Sequence, residues 1–100
     1  MKSFSDRCKE LLIGAEKLAR ASNNLYIYPE HLALTIFSNP SYIIKKILDE
    51  VNLDVESIIL DIKKNLSKLP IIKSEIKEIK IHHETNKLLN YAIYLANENG

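Results

Sequence analysis

The sequence is poor in the features on which small enzymes and secreted proteins depend. It has one cysteine, Cys8, so no disulfide can close within the chain. Its first 30 residues carry charges throughout and lack the apolar stretch and cleavage site of a secretory signal, which points to a reducing, cytoplasmic setting. Its two glycines, Gly14 and Gly100, cannot build a glycine-rich phosphate cradle, and no Gly-x-x-x-x-Gly-Lys-Ser/Thr occurs. The segment is therefore expected to be no ATPase and to hold no cofactor of its own. Charge of one sign is also missing: 14 Lys and Arg stand against 13 Asp and Glu, a net +1, too weak a field to gather nucleic acid. Apolar runs such as Leu11-Leu12-Ile13 are short, and none approaches the ~20 residues that cross a bilayer.

What the 100 residues do contain is 46% hydrophobic side chains, enough for one small domain with a modest core. Their spacing is helical. Phe4, Cys8, Leu11, Leu12, Ala15, Leu18, Ala19 and Ser22 recur at steps of three and four, predicting a helix over 5–22 with Ser5 as its cap and Asp6 at the positive end of its dipole. Asn23-Asn24 ends it, and residues 25–28 read as extended because Pro29 follows. Pro29 opens a second helix to about Ser38, and Asn39-Pro40 opens a third over 40–50 with Ile43, Ile44, Ile47, Leu48 and Val51 as its buried stripe. Asp54 caps a fourth helix, striped by Val55, Ile58, Ile59, Ile62, Leu66 and Leu69 and ended by Pro70. Residues 71–82 fit neither period well, although Ile79 and Ile81 alternate with lysine as a short strand would, and a fifth helix follows over 84–98.

An internal repeat is the most informative feature. A shift of 77 residues lays Leu11, Leu12, Ala15, Leu18 and Ala19 on Leu88, Leu89, Ala92, Leu95 and Ala96, all on one predicted face, with the shared string Leu-Leu-x-x-Ala-x-x-Leu-Ala. Two unrelated amphipathic helices with a common pattern would read the same way.

Candidate chemical sites favour structural readings. His31 has no second histidine at i+4, which leaves a histidine whose ring hydrogen-bonds the adjoining loop. His82-His83 has no evident carboxylate or thiol partner for a metal, since neighbours on an extended segment point apart. Cys8 lies on an apolar stripe, and Lys45, Lys46, Lys63, Lys64, Lys73, Lys77 and Lys80 suit solvated faces. Gly14 costs its helix ~1 kcal/mol relative to alanine. Either another element approaches it closely, shaping a groove with Tyr91, its counterpart in the repeat, or it is a tolerated surface glycine.

Phe4-Ser5-Asp6, Ala15 with Ala19, Tyr28-Pro29-Glu30-His31-Leu32, Ile47-Leu48 before Val51-Asn52-Leu53-Asp54, and Lys68-Leu69-Pro70 stand in an order that resembles the Clp N-terminal repeat domain across nearly the whole chain. Pro-Glu-His-Leu and Lys-Leu-Pro are most like the ClpB disaggregase branch, while Ser38-Asn39-Pro40-Ser41 is also similar to ClpA. Ala33 departs from the usual second leucine, and His82-His83 stands where a serine or threonine is usual. The resemblance implies an all-α fold: a four-helix repeat over about 5–69 (domain span 1–70), a linker 71–83, and the first helix, about 84–98, of a second repeat truncated at Gly100. It implies a non-catalytic domain that receives unfolded or aggregated proteins in an apolar groove. Ser5, Leu89 and Tyr91 map to groove positions, and the family's acidic groove residues would lie beyond Gly100. ATP and magnesium would belong to motor domains outside this segment, in a homo-hexameric full-length protein. The alternative is docking of a folded adaptor to a ClpA/ClpC-type unfoldase that serves a protease. Neither nucleic acid nor membrane is an expected partner.

Overall fold

The computed structural model describes residues 4–38 and 42–98. Its elements are α1 (Phe4–Ala21), β1 (Tyr26–Ile27), α2 (Pro29–Ser38), α3 (Tyr42–Glu50), α4 (Val55–Leu66), β2 (Lys80–Ile81) and α5 (His83–Glu98). The described residues thus form an all-α fold with one two-residue parallel strand pair, Tyr26 opposite Lys80 and Ile27 opposite Ile81.

Asparagine does the work that scarce glycine leaves undone. α1 ends with Asn23 at φ 54° and the Asn24 N–H donating to the Ala19 carbonyl at 2.9 Å. α3 ends the same way, with Asn52 at φ 56° and the Leu53 N–H donating to the Leu48 carbonyl at 3.3 Å. Both are left-handed caps, which asparagine tolerates better than other side chains. Asp54 caps α4 as expected, accepting the Ser57 N–H at 3.2 Å. That helix stops at Leu66, short of Pro70. Helical backbone already includes Phe4, so Ser5 sits within the first turn of α1 and not at its cap. The Asn39-Pro40 entry to α3 lies outside the described residues.

α2 is the hub, packed against α1, α4 and α5. The core between α1 and α2 holds fully buried Ala15 and Ala19 with Ile27 and Leu32, and Leu11, Leu12, Ile79, Ile81 and Leu89 pack around it. Small residues on α1 allow this approach. A methyl on Gly14 would stand 2.8 Å from Thr35 Cγ2 of α2, which is the close approach its position suggested. The segment joining α4 to β2 is strapped to the end of α1. Ile72 N–H donates to the Asn23 carbonyl at 2.8 Å, and the Arg20 guanidinium to the Ile76 carbonyl at 3.2 Å.

Two expectations need correction. Most of the described part of the predicted α3 stripe is not buried: Leu48 is 9% exposed, but Ile47 is 54% exposed and Ile44 and Val51 are also exposed, while the Ile43 side chain lies outside the described residues. Of the described side chains of α3, Leu48 alone is buried. In α5 the buried face is Thr85, Leu89 and Ala92, with Leu88 and Leu95 turned outward. The cause is Thr85, whose hydroxyl donates to the Ile27 carbonyl at 2.7 Å and fixes the rotation of the helix.

Candidate functional site

The start of α5 is a built junction. The His82 N–H donates to the Ile27 carbonyl at 3.1 Å, its carbonyl accepts the first helical bond from Asn86 at 3.0 Å, and its Nδ1 accepts the Glu84 N–H at 3.2 Å. A ring nitrogen therefore does what a serine or threonine oxygen does at a helix N-cap. Around the cap, the His82 ring stacks on Tyr28 with centroids 4.7 Å apart and meets Tyr26 edge-on at 5.8 Å.

With its inner face held by Thr85, Leu89 and Ala92, α5 turns Leu88, Tyr91, Tyr94 and Leu95 outward. Tyr91 is 61% exposed, and its ring lies 6.4 Å from that of Tyr94 at an interplanar angle of 25°. The three residues that the resemblance placed in a groove thus occupy different settings. Leu89 is half-buried against the core. Tyr91, two positions on and therefore ~200° around the helix, faces solvent. Ser5 lies in the first turn of α1, and its side chain is outside the described residues. Thr85 and Tyr94 were not singled out in the sequence. Thr85 precedes Leu89 by four and Ala92 by seven, a helical spacing that an apolar pattern overlooks because threonine is polar.

His31 is a structural histidine whose ring bonds the adjoining loop. It is 1% exposed, its Nδ1 accepts the Tyr28 N–H at 2.9 Å, and its Nε2 lies 3.0 Å from Asn24 Oδ1. Asn24, also buried, donates its amide to the Pro70 carbonyl at 3.0 Å, so one chain of bonds ties α2, the α1–β1 loop and the segment after α4. Burial holds the His31 ring below its ordinary pKa of 6.5, while the Glu30 carboxylate acts in the opposite sense.

His82 and His83 do not point apart. Their ring centroids lie 4.3 Å from one another because His83 already belongs to α5. Among the described residues no group of three or more His, Cys, Asp and Glu side chains is placed to hold a metal. Cys8 is half-buried. The seven lysines singled out in the sequence are all exposed.

No described helix is long and apolar enough to cross a membrane. What this arrangement offers is an anchored helix with an apolar, tyrosine-bearing outer face, suited to holding another polypeptide by contact. The chain matches the family described as the Clp repeat (R) N-terminal domain over residues 3–100. It is also similar to a protein named chaperone protein ClpB from Dichelobacter nodosus, 26% identical over 99 residues. That similarity covers 99% of this chain and 12% of that protein's length.

Proposed function

Because this chain belongs to the Clp repeat N-terminal domain family, we propose that it is the client-receiving module of a ClpB-type disaggregase. It takes up exposed apolar segments of unfolded or aggregated proteins and passes them to an ATP-driven motor. The motor, with its ATP, magnesium and hexameric assembly, would be carried by residues outside this chain. α5 is read as the first helix of a second repeat, on the strength of the 77-residue correspondence with α1.

The observation that carries this reading is the outward stripe of Leu88, Tyr91, Tyr94 and Leu95 on a helix whose inner face is fixed. Rigid aromatic side chains supply contact area at little cost in conformational freedom. A shallow surface gains about 25 cal/mol per Å² of apolar area covered and must offset several kcal/mol of lost rigid-body freedom, so binding is expected to be weak and sequence-tolerant.

Photocrosslinking tests the assignment. A photoreactive benzoyl group introduced by Tyr94→p-benzoylphenylalanine is expected to crosslink a labelled, permanently unfolded client. The same group at Leu60, which is 67% exposed on α4, serves as control and is expected to label little. Equal labelling at both positions would remove α5 as the site. Labelling only by one folded protein, with no unfolded client captured, would favour adaptor docking.

A further inference from the structure

The peptide unit joining Ile27 to Tyr28 is shared by two sets of bonds. Its N–H donates to His31 Nδ1 at 2.9 Å. Its carbonyl accepts the His82 N–H at 3.1 Å and the Thr85 hydroxyl at 2.7 Å. A peptide unit is planar and stiff, so its two ends cannot turn independently. His31 therefore reaches the start of α5 through a single rigid plate. The tautomer is set by the same contacts: Nδ1 accepts, so the ring proton sits on Nε2 and is donated to Asn24 Oδ1 at 3.0 Å.

We propose that this peptide is a pH-sensitive latch: a proton added to His31 Nδ1 sets two N–H donors face to face, turns the Ile27–Tyr28 plate, and releases β2 and the first turn of α5 from β1.

The direction follows from the environment of the ring. Because burial disfavours the imidazolium in the closed form, the opened form takes up the proton more readily. The latch is fully closed above the ordinary value of 6.5, and its closure is lost as the pH falls below it.

The groups that face the ring are few. From α2 the Glu30 carboxylate opposes the effect of burial. From β1 the Tyr28 ring lies with its centroid 5.9 Å from that of His31. The α1–β1 loop presents the uncharged Asn24 amide, and the α5 cap contributes His82 through its stack on Tyr28. His82 brings a second imidazole to the same assembly, so the test must separate the two. Opening would uncover Ile79, Ile81 and Leu89, which now pack on Ala15, Ala19, Ile27 and Leu32. The latch does not depend on the client-binding reading.

Backbone hydrogen exchange of the full chain, corrected for intrinsic rates, reads the latch directly between about pH 7.5 and pH 5. Protection of the Lys80 and His82 amides is expected to fall by up to ~10-fold per unit once His31 titrates, while amides in the middle of α4 hold theirs. His82→Asn, which keeps a capping oxygen and removes the imidazole, should retain this pH dependence. His31→Gln should lose it. Should His31→Gln fail to fold, the nitrogen resonances of the wild-type His31 ring serve instead: ring titration and loss of Lys80 and His82 protection must share one midpoint. Different midpoints, equal loss in α4, or pH dependence that follows His82 would overturn the latch.

Discussion

A methyl group at Gly14 would meet Thr35 Cγ2 at 2.8 Å, and the Thr35 side chain cannot swing aside freely because its hydroxyl donates to the His31 carbonyl at 2.8 Å. Two opposed effects act at this one atom. Alanine favours the helix over glycine by ~1 kcal/mol, and overpacking a close contact costs ~1–3 kcal/mol. Gly14→Ala is therefore expected to lower the unfolding free energy by about 1 kcal/mol in urea titrations. In a Thr35→Ser background, which keeps the hydroxyl and removes the clashing carbon, the same change should stabilise; destabilisation there as well would mean that another contact is responsible. Glycine on a helix was legible in the sequence as a sign of close approach. Its partner was not, because Thr35 is distant in sequence and nothing local marks it. His31 was legible as a bonded core histidine for the converse reason: its partner Tyr28 is three residues away.

Among the elements, helices announced themselves by period and ends by chemistry. Pro29, Asp54 and Asn23 start or stop helices in ways that local sterics and hydrogen bonding dictate, and the structure adds Asn52, which was not read as an end, at positive φ after α3. Which apolar stripe finds a partner is a different matter. The pattern of α3 is as regular as that of α4, yet Ile47 faces solvent and Leu48 is buried, because burial depends on what lies across from the helix. The contrast gives a prediction at this scale. Ile47→Ala should change unfolding free energy by less than ~0.5 kcal/mol, whereas Leu48→Ala should cost ~2 kcal/mol or more by urea denaturation. Similar losses at both positions would mean that α3 is packed on two sides. The phase of α5 was misread by one position in the same way, since the Thr85 hydroxyl anchors the helix where an apolar search sees a gap.

At the scale of the molecule, α1 and α5 share one string and meet different fates. Ala15 and Ala19 of α1 are wholly buried against the hub, while Leu88, Tyr91 and Leu95 of α5 lie on its outer side. The all-α architecture was legible because four helices follow one another locally. The parallel pairing of β1 with β2 was not, since it joins segments on either side of three helices and only the alternation around Ile79 and Ile81 hinted at it. The central claim is that the outer face of α5 holds apolar segments of unfolded proteins. It is tested most directly by fluorescence anisotropy of a labelled, permanently unfolded client titrated with the chain and with Tyr91→Ala, each first shown to be folded by circular dichroism. The expected result is weak binding to the wild type, reduced at least ~10-fold in the variant, as befits loss of an aromatic anchor at a contact surface. Unchanged binding by Tyr91→Ala, or no binding of any unfolded client by the wild type, would contradict it.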